Sequence, residues 1–203
     1  MKQNKISKYW INKQRRDIYV RRSKVEGYRS RAVYKLQEID QKFRIFKNGM
    51  SVIDLGAAPG SWSQYALKNV KNGKIVSIDF KDFEKIGNIH QIKGDFTDDR
   101  YKKEIVDYFG VKVDVVLSDL AVNTTGNKNL DSIYTGELCM EAMKFSKEIL
   151  KSDGKFISKI FMGSTFNEIV SEAKKIFKEN KVFKPLASRK DSKESFIICK
   201  FLR

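Results

Sequence analysis

The chain has 203 residues and 41% hydrophobic content, enough for one well-filled core, and no run of eighteen apolar residues that could cross a membrane. Forty-one Lys and Arg against 25 Asp and Glu give a formal net charge of +16, so a polyanion, most often nucleic acid, is the expected partner. A single histidine, His90, and two widely separated cysteines, Cys139 and Cys199, argue against a Ser-His-Asp triad and against any metal centre.

The opening Met-Lys-Gln-Asn-Lys has no apolar run behind it, so no secretory leader is expected and the cysteines read as reduced thiols of a cytoplasmic protein. Residues 1–27 read as a basic arm ahead of one domain, 28–203. Residues 1–35 hold twelve Lys or Arg but only Asp17 and Glu26 as acids, with Tyr9, Trp10, Tyr19, Tyr28 and Tyr34 interleaved. Cations grip phosphates and aromatic faces stack on unpaired bases, so this stretch reads as RNA-contacting. Arg15, Arg16, Arg21, Arg22, Arg29 and Arg31 are the expected phosphate contacts.

Ser30 reads as an N-cap, and Ala32, Leu36, Ile39 and Phe43 give the stretch to Phe46 a helical stripe. The next run, Ser51–Leu55, is an apolar strand that carries Asp54 and enters a glycine loop, Gly56-Ala-Ala-Pro-Gly60, followed by a helix from Ser61. Such a loop lets backbone approach a ligand, and the helix N-terminus offers unpaired N–H groups. It lacks Gly-Lys-Ser/Thr, so it is not a Walker A loop, and it lacks the dinucleotide Gly-x-Gly-x-x-Gly. A nucleoside cofactor without a pyrophosphate fits, and S-adenosylmethionine (SAM) leads.

Strand-like runs recur at Lys74–Asp79, His90–Lys93, Val113–Ser118, Lys155–Phe161 and Ser195–Phe201, with helical runs between most of them, among them Tyr134–Leu150 and Thr165–Asn180. That alternation implies a mostly parallel sheet, with the direction of the last strand open. Ligands of such sheets sit beyond the carboxyl ends of the strands. Asp54, Asp79, Asp95 and Asp119 lie at or just beyond the ends of four successive strands, and Asp79 follows Gly56 by 23 residues, a spacing suited to ribose hydroxyls. Lys159 shares a strand face with Ile157 and Phe161, where a cation is costly without a role or a partner. Lys35, bordering the first helix's apolar stripe, and Glu194, opening the last strand, read on their own as solvated charges.

The motifs Gly-Tyr-Arg-Ser-Arg-Ala-Val-Tyr-Lys-Leu (27–36), Asp-Leu-Gly-Ala-Ala-Pro-Gly-Ser-Trp-Ser-Gln (54–64), Leu-Ser-Asp-Leu-Ala (117–121), Ser-Lys-Ile-Phe (158–161) and Ser-Lys-Glu-Ser-Phe (192–196) resemble, in this order and spacing, the FtsJ-type RNA 2′-O-methyltransferases. The resemblance runs from about Tyr28 to the C-terminus. It departs at Ser61, where the family usually has glycine, and at Val122, where it usually has proline. It implies a catalytic set of Lys35, Asp119, Lys159 and Glu194. It implies SAM contacts at Gly60, Trp62, Asp79, Asp95 and Asp119, to which the loop reading adds Asp54 and Gly56. The expected fold is α/β, a Rossmann-like class I SAM-dependent methyltransferase with a doubly wound, mostly parallel seven-stranded sheet and helices on both faces.

The expected reaction is in-line attack of a ribose 2′-hydroxyl on the SAM methyl group, with Lys159 as base or as a protonated guide for the hydroxyl. The expected substrate is a uridine of large-subunit ribosomal RNA, free or in the subunit, and the protein is expected to act as a monomer. Rival substrates are a tRNA anticodon loop or an mRNA cap. Rivals of other classes are a dinucleotide-dependent oxidoreductase and a non-catalytic RNA-binding module.

Overall fold

A computed structural model describes residues 17–120 and 128–203. Its centre is β1, Val52–Leu55, buried throughout and paired in parallel with β2, Ile75–Asp79, on one side and β4, Val113–Ser118, on the other. Beyond β2 lies β3, His90–Lys93. Beyond β4 lies β5, Leu150–Phe161, also parallel. β7, Glu194–Leu202, inserts antiparallel between β5 and the edge strand β6, Phe177–Phe183, giving seven strands in the order β3-β2-β1-β4-β5-β7-β6.

Alternation along the buried strands sends side chains to two cores. On one face, Ile53, Leu55, Val76, Ile78, Val116, Phe156 and Ile160 pack under three helices: α4 (Asp99–Phe109), α5 (Lys128–Ile149) and α6 (Phe166–Ile176). On the other, Val52, Ile75, Val115, Leu117, Ile157 and Phe196 pack under α2 (Val33–Phe43) and α3 (Ser61–Asn69). Each large apolar side chain so buried contributes roughly 1.5–3 kcal/mol. The chain leaves β1 through α3 towards β2, and leaves β4 through α5 towards β5, on the opposite side. That reversal opens a crevice beyond the carboxyl ends of β1 and β4, where Asp54, Gly56 and Asp119 lie.

α2 carries Lys35 to this end of the sheet. It begins at Val33, three residues inside the expected Ser30 cap. Ser30 still serves the turn, its hydroxyl accepting the Ala32 N–H at 3.2 Å. Arg44 ends the helix in the left-handed region at φ 52°. Two cross-strand partners of the sheet, Lys155 and Lys200, hold the open carbonyls there: Lys155 Nζ reaches Arg44 (2.7 Å) and Ile45 (2.6 Å), and Lys200 Nζ reaches Phe43 (2.9 Å). Cations at this end also oppose the negative pole of the helix.

The helix expected over Thr165–Asn180 ends at Ile176, and Phe177 begins β6. Ile169, Ala173 and Ile176 carry a helical stripe that runs on into Phe177, which masked the change. β6 also lacks an alternating apolar pattern. It is an edge strand with exposed Lys178 and Lys181, charges that discourage further strand pairing. α5 starts at Lys128 rather than Tyr134.

At the start of the described residues, α1 (Ile18–Val25) is capped by Asp17, which accepts the Tyr19 N–H at 3.0 Å. Tyr19 packs on Tyr34 with ring centroids 5.4 Å apart. Both cysteines are free and buried, and burial pushes the Cys139 thiol up to about 12. No described helix is long and apolar enough to cross a membrane.

Candidate active site

The glycine loop has the shape its sequence requires. Gly56 and Gly60 adopt φ of 74° and 103°. A Cβ at Gly56 would come within 2.6 Å of Leu120 Cδ2, and one at Gly60 within 2.4 Å of Ile86 Cδ1. Asp79 fastens the loop to the end of β2, one carboxylate oxygen accepting the Ala58 N–H (2.9 Å) and the other the Lys81 N–H (2.8 Å). Asp95 is exposed and braces its own turn by accepting from the backbone and hydroxyl of Thr97.

Asp54 is fully buried. Its Oδ2 accepts from Ser63 at 2.5 Å, Ser63 lies 2.6 Å from Ser77, and Oδ1 has no protein partner. Burial drives the carboxyl up, and despite the Ser63 hydrogen bond it sits at about 7. Nearby Asp119 and Asp79 add to the rise. Asp54, Gly56, Pro59, Trp62 and Asp119 line a small cavity of about 50 Å³. The orphaned Asp54 oxygen, beside a loop whose two glycines keep side chains off its ends, suits the positively charged part of a larger ligand, and SAM is such a ligand. Trp62 borders this cavity and is also tied into the fold. Its indole donates to the Ala32 carbonyl (2.8 Å) and packs on Phe196, so it joins α3 to α2 and β7. Its backbone N–H lies in the first turn of α3, where helix amides have no intrahelical partner.

The four residues of the expected catalytic set meet as two ion pairs. Lys35 on α2 reaches Glu194, the first residue of β7, at 2.8 Å. Lys159 on β5 reaches Asp119, just past β4, at 3.0 Å, and also donates to the Asp119 carbonyl at 2.9 Å. The pairs interact. Burial works against the Lys35 ammonium, but Asp119 and Glu194 outweigh it and hold its pKa above the ordinary lysine value. Burial likewise works against the Asp119 carboxylate, yet Lys159 and Lys35 hold it below the ordinary value. A neutral cluster of two cations and two anions is the arrangement that makes such burial tolerable.

A larger cavity of about 410 Å³ is lined by Arg31, Lys35, Arg189, Ser192 and Glu194. Ser30 and Ala32 border both cavities, so the two adjoin. Among the described residues no group of three or more His, Cys, Asp and Glu is placed to hold a metal ion.

The arginines divide. Arg15 and Arg16 lie outside the described residues. Arg21 is exposed, and Arg22 pairs with Glu26 at 2.6 Å while its guanidinium lies over the Tyr34 ring. Arg29 is an internal tether, donating to the carbonyls of Pro59 (3.1 Å), Glu84 (2.7 Å) and Lys85 (3.1 Å). Arg31 is also engaged inside the protein, with Asp17 and the Ala187 carbonyl. Two participants had no local sequence signal. Ser188 donates to Glu194 Oε1 at 2.8 Å, and Arg189 lines the larger cavity.

The chain is similar to known proteins over most of its length. The model of the FtsJ-like methyltransferase family matches residues 28–202. The chain is 68% identical, over the full length of both, to the ribosomal RNA large subunit methyltransferase E of Pelagibacter ubique. It is 43% identical to the protein of the same description in Rickettsia akari, over 93% of this chain and 86% of that one. A crystal structure from Plasmodium falciparum described as a ribosomal RNA methyltransferase superposes with a TM-score of 0.77 at 32% identity, covering 86% of this chain and 98% of that one. With the family model spanning most of the chain and a relative this similar from end to end, the chain belongs to the FtsJ-like methyltransferase family.

Proposed function

We propose that the protein is a SAM-dependent RNA 2′-O-ribose methyltransferase acting on a uridine of large-subunit ribosomal RNA. The observation that carries this reading is the junction of the two cavities. Asp119, with Lys159 bound to it, borders the smaller one, and Lys35 and Glu194 border the larger. A cofactor and a ribose placed in adjoining cavities would meet over the four charged groups. The name shared by the Pelagibacter and Rickettsia relatives supports large-subunit RNA as the substrate.

SAM would supply a methyl group made electrophilic by its sulfonium. Asp54, Gly56, Gly60, Asp79, Asp95, Asp119 and the Trp62 backbone are the residues that would hold it. The chain's own part is alignment and proton handling. Holding hydroxyl and methyl at attack distance is worth roughly 7–11 kcal/mol. Lys159 Nζ, held by the Asp119 carbonyl and carboxylate, would orient the hydroxyl and, in its neutral form, accept its proton. Asp119 compensates the charge that Lys159 then gains. Lys35 stays an ammonium, faces the charge developing on oxygen, and is held in place by Glu194. The exposed cations Arg21 and Arg22, together with Arg15 and Arg16 of the basic stretch, would contact RNA phosphates.

The test is to incubate the protein with methyl-labelled SAM and separated RNA and ribosomal fractions, then map the labelled ribose. Label on a uridine 2′-oxygen of large-subunit RNA is the expected result. Label confined to tRNA or capped mRNA, or no label, rejects the assignment.

A further inference from the structure

Glu194 begins β7 at the end of a loop, residues 184–193, whose last carbonyl, of Lys193, accepts the Met162 N–H at 3.0 Å. Its first half is held by side chains of α2 and the turn before it. The Glu38 carboxylate accepts two consecutive backbone N–H groups of the loop, Leu186 at 2.5 Å and Ala187 at 2.8 Å. The Arg31 guanidinium donates to the carbonyl of the same Ala187. The next residue, Ser188, is buried. Its N–H closes a turn on the Pro185 carbonyl (3.0 Å), and its hydroxyl donates to Glu194 Oε1 (2.8 Å). The other oxygen of Glu194 meets Lys35.

Lys35 and Glu38 are three residues apart on α2 and therefore share a face. One helix face thus supplies both the ion partner of Glu194 and the anchor of the loop that delivers its second partner. Charge-assisted hydrogen bonds from two adjacent amides to one carboxylate are strong and directional. Leu186 is otherwise largely exposed, so side-chain burial does little to fix the loop at that point.

We infer that Glu38 is a positioning residue for methyl transfer, clamping the 185–188 turn so that Ser188 and Lys35 hold the Glu194 carboxylate between them. The inference rests on the methyl-transfer reading, in which Glu194 keeps Lys35 in place. A glutamine at position 38 keeps the shape but has one amide oxygen where the carboxylate has two acceptors, so one of the two loop N–H groups faces a donor.

The experiment compares Glu38→Gln, Ser188→Ala and the double variant in the full chain. It measures kcat on large-subunit RNA, the Kd for SAM, and amide hydrogen exchange at Leu186, Ala187 and Glu194. Expected are about tenfold faster exchange at Leu186 and Ala187 and about tenfold lower kcat in Glu38→Gln, with the Kd for SAM within about twofold of wild type. In the Ser188→Ala background, where the link is already cut, the same substitution should change kcat by less than about twofold. A purely structural role gives the full loss in both backgrounds, and that result overturns the inference, as does an unchanged kcat. Should Glu38→Gln fail to fold, Glu38→Asp, which keeps the charge but draws the acceptor back, carries the same comparison under the same criteria. If the wild-type protein transfers no methyl group, the functional reading fails by itself. The clamp is then decided by the exchange data, and unchanged protection at Leu186 and Ala187 overturns it.

Discussion

Lys35 Nζ and Glu194 Oε2 lie 2.8 Å apart although 159 residues separate them in the chain. α2, on one face of the sheet, and β7, antiparallel within it, bring them together. The parallel crossovers independently bring Lys159 to Asp119. The candidate site is therefore a product of topology, with each charged group on a different element.

Lys159→Ala is expected to abolish methyl transfer while the Kd for SAM stays within a few-fold of wild type. Removing one partner of a buried pair also costs about 3–5 kcal/mol of stability. Activity should thus be read at low temperature, after thermal unfolding has established that the variant is folded. Turnover within tenfold of wild type would refute the role given to Lys159.

Asp54 links stability to pH with a definite sign. Its carboxyl ionises near pH 4 in the unfolded chain and at about 7 in the folded protein. The folded state therefore binds the extra proton between these values, and this contribution to stability falls as pH rises from about 4 to 7, by about 1.4 kcal/mol for each pH unit crossed. Asp54→Asn should flatten that slope and leave the SAM-free protein more stable than wild type at pH 8. Parallel urea-midpoint profiles for the two proteins would contradict the assignment.

Gly60→Ala should weaken SAM binding at least tenfold. Its φ of 103° strains any L side chain, and the new methyl would lie 2.4 Å from Ile86 Cδ1 and 3.0 Å from Arg29 Nη1. Calorimetric titration with SAM checks this, and an affinity equal to wild type would mean the loop relaxes freely.

The arginines should separate by assay. Arg21→Gln is expected to weaken RNA binding and lower the slope of log K against log salt by about 1, without changing the unfolding midpoint. Arg29→Gln should do the reverse, costing about 1–3 kcal/mol of stability as three backbone carbonyls lose their charged donor. A salt slope that responds to Arg29 and not to Arg21 would reverse these assignments.

What the sequence disclosed depends on how local each signal is. The run from Asp54 to Gly60 and the aspartate beyond β4 are written in consecutive residues, and the structure places them at the switch point. Lys159 stood out because it interrupts the apolar run from Phe156 to Phe161. Lys35 and Glu194 look like solvated charges in their own neighbourhoods, and resemblance alone marked them. Glu38 and Ser188 carried no mark at all. Glu38 meets Leu186 across 148 residues, and a lone serine in a loop has no distinctive pattern. β6 was hidden because an edge strand facing water needs no alternating stripe.

Asp17 meets Arg31, whose guanidinium also holds the Ala187 carbonyl, so the first described turn of the chain is fastened to the loop bearing Glu194. A fragment trimmed to the span matched by the family model, 28–202, would retain every strand and every member of the charged quartet. It would nonetheless leave the Arg31 guanidinium without its carboxylate partner, so the cut would fall on the Glu194 loop's support rather than on the sheet.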